Sequence, residues 1–226
     1  MRSMSTQPTD THRTDPAATD GPGADSPTMD TPSGDAQGGA RPERRPLLLT
    51  LRLAEPGQLT LQALRNRHFP PARNLVPAHV SLFHALPGDA REPVTALLRG
   101  LAATRPPVLV EAPRLLGFGV AFPLVSDALA ALHARLARAW WPWLTAQDRQ
   151  PFRPHVTVQN KVTPEEARRT RARLARGFVP WTGEGTALLL WRYLGGPWEL
   201  LETLELAPAT DAPPDGRVAS GGRPRA

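Results

Sequence analysis

The chain has 226 residues, which is the length of one domain or of two small ones. It contains 27 Lys and Arg against 21 Asp and Glu and no cysteine, so the sequence excludes a disulfide scaffold, a thiol nucleophile and a thiolate metal site. No apolar run approaches the roughly 20 residues that a membrane span needs, and no stretch typical of a secretory signal follows the first residues. We therefore expect a soluble, cytoplasmic protein without membrane contact.

The two ends differ in composition from the middle. Residues 1–45 contain six Pro and five Gly, lack Leu, Ile, Val, Phe and Trp, and carry an Asp at every fifth position from 10 to 35. Such a segment cannot bury enough apolar surface to offset the entropy of ordering it, so we predict disordered low-complexity tails at 1–45 and 207–226. A solvated spacer is favoured over a partner-binding tail. The domain predicted at 46–206 holds 19 basic and 12 acidic residues, a balance that favours phosphate-bearing ligands.

Strands and helices alternate from residue 46 onward. The elements predicted in the first half are a strand at 47–53, a helix at 57–67, a strand at 76–86, a helix at 91–103 and strands at 108–116 and 120–125. Those of the second half are a helix at 127–139 with Ser126 as N-cap, a strand at 155–162, a helix after the N-cap Thr163, and strands at 187–194 and 198–206. Because the order strand–helix–strand–helix–strand occurs twice, we predict an α+β fold. Its two pseudo-repeated lobes each have a mainly antiparallel sheet with outer helices, and the active groove lies between them.

A short motif occurs once in each half. Residues 77–82 read Pro-Ala-His-Val-Ser-Leu and residues 153–158 read Arg-Pro-His-Val-Thr-Val, both within predicted strands. Side chains two positions apart on a strand share a face, so His79 lies beside Ser81 and His155 beside Thr157. The aliphatic residues that alternate with them are expected to point into the lobe cores.

Two imidazoles and two hydroxyls that face one groove suit the hydrolysis of a phosphodiester. A neutral histidine can take a proton from the attacking water while a protonated one gives a proton to the leaving oxygen. Hydroxyl groups can donate hydrogen bonds to the non-bridging oxygens, where negative charge builds up. The chain has no HExxH motif, carboxylate cluster or Walker loop, so the sequence predicts neither a metal site nor a cofactor.

The paired His-x-Ser/Thr-x motifs resemble those of the two-histidine phosphoesterases, the superfamily named for 2′-5′ RNA ligase and RNA 2′,3′-cyclic phosphodiesterase, and the resemblance covers roughly residues 47–206. It implies that His79 and His155 are the catalytic acid and base and that Ser81 and Thr157 bind the phosphate. It also implies metal-independent hydrolysis of a 2′,3′-cyclic phosphate on an RNA end or a nucleotide, and we expect a monomer. ATP-independent 2′-5′ RNA ligation is the alternative activity. A module that binds RNA ends or nucleotides without turnover is the rival from another class.

Two departures from the family pattern concern the phosphate site. Ser81 replaces the commoner threonine but keeps the donor, and Asn160 stands where the second motif often has Arg or Lys. Alternation along the predicted strand puts Lys161, the only lysine of the chain, on the same face as His155. Lys161 is therefore a candidate phosphate ligand.

Two further residues are candidates for contact with a base or nucleotide. Phe83 shares the face of His79 on the predicted strand, and core packing is an equal alternative for it. Arg192 stands between two aromatic residues on a late strand, a pattern that can bind a nucleotide, although a structural ion pair is favoured. His84 is predicted on the opposite face from His79, as a packed or backbone-bonded residue.

Overall fold

Strands and helices alternate through residues 44–208, the part of the chain that this computed structural model describes. The strands are β1 Leu47–Leu53, β2 Val80–Leu86, β3 Pro107–Val110, β4 Arg114–Leu115, β5 Val120–Val125, β6 His155–Gln159, β7 Trp181–Tyr193 and β8 Trp198–Glu205. The helices are α1 Gly57–His68, α2 Arg91–Arg99, α3 Asp127–Trp140 and α4 Pro164–Ala175. Of the tails predicted as disordered, residues 1–43 and 209–226 lie outside the described residues.

The strands form an antiparallel sheet that closes into a barrel. Around it the order is β1, β2, β6, β5, β3 and β7, and β7 pairs with β1 to complete the circle. β4 adds to β5, and β8 forms a hairpin with β7. The prediction of an α+β fold with a mainly antiparallel sheet and outer helices is confirmed. No helix within residues 44–208 is long and apolar enough to cross a membrane.

One long strand serves both halves of the barrel. The first residues of β7 pair with β3, from Trp181 to Glu184, and the later ones pair with β1, from Gly185 to Arg192. The sequence analysis predicted that this strand begins at 187, which is wrong, since the strand begins at Trp181. Its first residues were missed because Gly183, Glu184 and Gly185 interrupt the apolar run. The two halves are therefore joined along β7 and meet again where β2 pairs with β6.

Two helices begin as their N-cap residues predict. Ser126 Oγ accepts a hydrogen bond from the Leu129 N–H at 3.1 Å before α3, and Thr163 Oγ1 accepts one from the Glu166 N–H at 3.2 Å before α4. α3 turns apolar residues onto the hydrophobic core, among them Leu129 and Leu136. The outer helices thus take the positions that their apolar periodicity indicates.

An irregularity in β2 changes which side chains share a face. Thr50 of β1 pairs with Ser81, but the preceding residue, Leu49, pairs with Phe83, so β2 carries one extra residue at this point. As a result Leu82 and Phe83 both lie in the core. A second irregularity follows directly, since Leu47 pairs with Leu86 and β2 again carries one extra residue between Phe83 and Leu86. The regular alternation from which His84 was predicted to lie opposite His79 therefore does not extend to His84.

The close approach of β5 to β6 depends on a glycine. A Cβ on Gly119 would clash with the main chain of Gln159 and Asn160, which cannot move without breaking the pairing. We expect Gly119→Ala to lower the free energy of unfolding by about 2–3 kcal/mol, measured by urea denaturation. Gly100→Ala is the control, since its Cβ would meet the Ala96 and Leu97 carbonyl oxygens at ordinary distances of 3.5 and 3.7 Å. Equal stability of the two variants would contradict this account.

Candidate active site

The two histidine motifs lie on neighbouring antiparallel strands. Val80 of β2 pairs with Val156 of β6, and in an antiparallel register the residues one step to either side face each other. The same register therefore sets His79 opposite Thr157, and Ser81 opposite His155. Val80 and Val156 are buried in the core, so the flanking side chains share the other face of the sheet. One strand pair thus brings together the four motif residues.

The two imidazoles are oriented in the same way. Nδ1 of His79 lies 2.6 Å from the Pro77 carbonyl oxygen, and Nδ1 of His155 lies 2.8 Å from the Arg153 carbonyl oxygen. A carbonyl oxygen only accepts hydrogen bonds, so each Nδ1 carries the proton and donates it. In the neutral ring this leaves Nε2 as the basic nitrogen. Each histidine is therefore locked in the tautomer that a general base needs.

Burial lowers the pKa of both motif histidines. In His79 burial lowers the pKa most, and the hydrogen bond to the Pro77 carbonyl opposes this change. The charges of Arg65, His84 and His155 lower the pKa further, and the net result is a pKa of about 4. The pKa of His155 is lowered mainly by burial, with a further contribution from the charge of His84. Both rings are therefore neutral near pH 7 in the free protein. An anionic phosphate between them favours the protonated form of one ring, which can then act as the general acid.

Helix α1 fixes the residue that precedes the first histidine. Gln62 Oε1 accepts a hydrogen bond from the Ala78 N–H at 2.6 Å, and Gln58 Nε2 donates one to the Ala78 carbonyl at 2.7 Å. Both main-chain groups of Ala78 are thus satisfied by side chains one helical turn apart. This support holds the start of β2 in place and was not evident from the sequence, where two glutamines on a helix carry no specific signal.

A buried arginine lies behind both motifs. Arg65 of α1 is only 6% exposed and donates to the carbonyl oxygens of Thr157 at 2.8 Å and Val76 at 3.1 Å. Burial lowers the pKa of Arg65 to about 10, so it remains charged at neutral pH. Within residues 44–208 no carboxylate forms a salt bridge with it. Its positive charge therefore favours an anion in the groove.

Trp198 lies beside the first histidine, and Trp191 lies behind Trp198. The Trp198 ring lies 5.1 Å from the His79 ring and 6.1 Å from the Trp191 ring, measured between centroids. Trp191 Nε1 donates to Thr50 Oγ1 at 2.9 Å, and Thr50 pairs with Ser81 in the sheet. The tryptophans therefore wall one side of the groove. Sequence reasoning missed them because only the β7–β8 hairpin brings them to His79.

A third imidazole lies near the motif histidines and has a carboxylate partner. His84 Nδ1 is 2.9 Å from Asp148 Oδ1, and Asp148 also accepts the main-chain N–H groups of His84 at 2.8 Å and of Ala85 at 3.1 Å. Burial raises the pKa of Asp148, but these bonds and the charge of His84 outweigh it, so the pKa lies below its usual value. Asp148 is therefore an ionised carboxylate whose side chain is 0% exposed.

Two of the residues predicted to contact a base have structural roles here. Phe83 is fully buried and its ring lies 4.7 Å from the His133 ring and 5.1 Å from the Trp140 ring, so it packs in the core and presents no face to a ligand. Arg192 is 13% exposed and forms an ion pair with Glu199 at 2.9 Å. The structure thus has the core packing that the sequence left open for Phe83 and the ion pair that it favoured for Arg192.

Lys161 lies beyond the end of the strand in which it was predicted. β6 ends at Gln159, and Lys161 follows in a left-handed turn at φ 59°, so the alternation that aligned it with His155 does not extend this far. It is exposed and lines a depression together with Arg67 and His68. The structure thus places the lysine in the wall of a different surface feature from the four motif residues. Within residues 44–208 no group of three or more His, Asp or Glu side chains is arranged to hold a metal ion.

The family follows from a match that covers most of the described chain. The sequence pattern of the 2′-5′ RNA ligase superfamily matches residues 53–197, which include both histidine motifs. This chain belongs to the 2′-5′ RNA ligase superfamily, the two-histidine phosphoesterases. The expectation drawn from the paired motifs is confirmed at this level. No curated protein matches the chain significantly.

Solved structures of other proteins have the same fold. The chain is 17% identical to the protein TT0787 of Thermus thermophilus, with a TM-score of 0.52 over 73% of this chain and 100% of that one. It is 18% identical to E. coli LigT, solved in complex with 3′-AMP, with a TM-score of 0.50 over 72% of this chain and 98% of that one. At these identities the similarity establishes the fold alone.

The lowered pKa of His79 predicts how stability depends on pH. Between about pH 6.5 and pH 4 the unfolded chain binds a proton at this histidine that the folded protein does not, so stability falls as the pH falls through this range. We expect the free energy of unfolding, measured with urea at pH 7 and pH 4.5, to drop less in His79→Gln than in the wild type. His133 and His155, whose pKa values are also lowered, contribute in both proteins. An unchanged drop in the variant would show that His79 is not protected from protonation.

Proposed function

We propose that this chain is a metal-independent phosphodiesterase that hydrolyses a 2′,3′-cyclic phosphate on an RNA end or a nucleotide. The observation that carries the proposal is the β2–β6 register, which sets each imidazole opposite the hydroxyl of the other motif. Membership of the 2′-5′ RNA ligase superfamily supports an enzyme acting on phosphate esters. The complex of E. coli LigT with 3′-AMP supports a nucleotide as the ligand.

The groove residues take complementary roles in this reaction. Ser81 and Thr157 donate hydrogen bonds to the two non-bridging oxygens of the cyclic phosphate. One imidazole Nε2 removes a proton from a water molecule as its oxygen attacks phosphorus, and the bond from phosphorus to the 3′ oxygen breaks. The other imidazole, protonated beside the anionic substrate, gives its proton to that leaving oxygen. The product is a 2′-phosphate, and the two histidines exchange protonation states.

The same residues can serve ligation, which superfamily membership supports equally. If the 5′ hydroxyl of a second RNA end takes the place of water, the base removes its proton and a 2′-5′ linkage forms without ATP. The nucleophile that reaches phosphorus therefore separates the two activities, and both need His79 and His155. We also propose that the protein acts as a cytoplasmic monomer, because one chain supplies both strands of the groove.

The proposal predicts loss of activity when either motif histidine is removed. We expect His79→Ala and His155→Ala each to lower kcat/KM by about 10²–10⁴, because each removes one proton-transfer step. The assay incubates the protein with EDTA and a short RNA that ends in a 2′,3′-cyclic phosphate and follows the 2′-phosphate product. His68→Ala is the matched control, since His68 lies in the separate depression beside Lys161 and should leave the rate unchanged.

Other outcomes of this assay separate the alternatives. A joined product on addition of a 5′-hydroxyl RNA would show the ligase activity. Tight binding of the RNA without any product would favour a binding module. Full turnover by the double variant His79→Ala/His155→Ala would end the assignment of both histidines.

A further inference from the structure

The depression that contains Lys161 carries positive charge that the proposed reaction does not use. It lies between the end of α1 and the loop that joins β6 to α4, and residues 67–71, 161–163 and 166 line it. Its volume of about 690 Å³ is that of an ordinary ligand site. Arg67 and Lys161 are exposed, and neither forms a salt bridge within residues 44–208. Among the described residues of the lining Glu166 has the only carboxylate, so the depression favours an anion.

The main chain fixes the position of Lys161. Its φ of 59° lies in the left-handed region, which is uncommon for a residue other than glycine. Its N–H donates a hydrogen bond to Asn160 Oδ1 at 2.8 Å. The N–H of the next residue, Val162, donates to the Phe118 carbonyl oxygen at 3.1 Å, so the turn is also bonded to the loop between β4 and β5. The lysine is therefore held at a defined place beyond the end of β6.

The loop between β4 and β5 brings an exposed aromatic residue to the same place. Phe118 is 57% exposed, although phenylalanine is among the residues most often buried. A Cβ on the next residue, Gly119, would clash with the main chain of Gln159 and Asn160, so this loop lies directly against the end of β6. Proteins that bind single-stranded nucleic acid combine cations, which contact the backbone, with aromatic rings on which the bases stack. The depression and its neighbouring loop have both kinds of group.

The depression lies close to the histidine motifs along the chain. Thr157 and Lys161 are four residues apart, so the chain between them spans at most about 14 Å. Arg65 joins the two places from below, since it donates to the Thr157 carbonyl oxygen and its guanidinium carbon lies 4.0 Å from the centroid of the Phe69 ring. Phe69 is part of the lining of the depression. An RNA whose end occupies the groove therefore reaches the depression with its next nucleotides.

We propose that this depression, together with Phe118, is a second binding site that holds the RNA chain on the 5′ side of the reacting end. Lys161 and Arg67 contact backbone phosphates, and one base stacks on Phe118. The inference rests on the proposed function for RNA as the ligand. It keeps Lys161 as a phosphate ligand, but for a phosphate other than the one between the histidines. His68 adds no charge here, because burial and the charges of Arg67 and Arg173 lower its pKa and the ring is neutral near pH 7.

Binding of RNA of two lengths tests this site independently of turnover. The probes are adenosine 2′-monophosphate and an RNA of about six nucleotides that ends in a 2′-phosphate, a length typical of single-strand sites. Both are titrated by calorimetry over a range of salt concentrations. In the wild-type protein we expect the longer RNA to bind at least about tenfold more tightly than the mononucleotide. This comparison needs no variant, so it holds even if a substitution impairs folding.

Substitutions assign the extra affinity to individual residues. Lys161→Asn, which suits the left-handed turn, and Arg67→Ala should each weaken the longer RNA and reduce the slope of log affinity against log salt by about 0.7, the effect of one lost phosphate contact. Phe118→Ala should weaken it at least about fivefold, the contribution of one stacked base. The affinity for the mononucleotide should not change. Arg138→Ala and Trp141→Ala are the matched controls, since both side chains are exposed at the end of α3 and should bind as the wild type.

The outcomes separate this inference from the proposed function. Equal affinity of the wild-type protein for the two probes, or wild-type affinity of the triple variant for the longer RNA, would overturn the second site whatever the enzyme hydrolyses. Equal binding of a polyglutamate peptide would overturn its assignment to RNA. Length-dependent binding that needs Lys161, Arg67 and Phe118, without any turnover of a cyclic phosphate, would keep the site and refute the proposed hydrolysis. The two failures therefore produce different results.

Discussion

The pairing of β2 with β6 is the interaction on which the groove depends. A single pair, Val80 with Val156, joins these strands, and both side chains are buried in the shared core. Because the sheet alternates, burying these two valines turns the neighbouring histidines and hydroxyls outward together. A shift of register by one residue would move every one of those side chains to the core face. The burial of two aliphatic residues thus sets the geometry of the polar ones.

Closure of the barrel explains how so short a pairing is maintained. β7 pairs with β3 over its first residues and with β1 over its later ones, so the two halves cannot separate without breaking both ladders. α1 adds a tie behind the two motifs, since Arg65 donates to main-chain carbonyl groups of both halves, at Val76 and at Thr157. The sheet, its closure and this arginine together hold the two motifs at a fixed distance.

The sequence was sufficient for elements that local rules determine. The N-caps Ser126 and Thr163 and the paired motifs follow from side-chain chemistry within a few residues, and these predictions agree with the structure. The alternation of β2 beyond Ser81 did not follow, because its irregularities depend on how β1 pairs with it. The position of Trp198 beside His79 depends on a hairpin that joins distant segments. Features set by strand pairing across the chain have no local sequence signal.

The hydrogen-bond partners of the two motif imidazoles determine which ring nitrogen is basic. His79 and His155 each bond a carbonyl oxygen, which fixes the tautomer without adding charge, so burial can keep both rings neutral and able to accept a proton. The main-chain carbonyl groups also hold each ring from its Nδ1 side, so the orientation of the imidazole does not depend on a charged neighbour. Two equivalent main-chain contacts therefore give both halves of the chain a histidine whose Nε2 is the basic nitrogen.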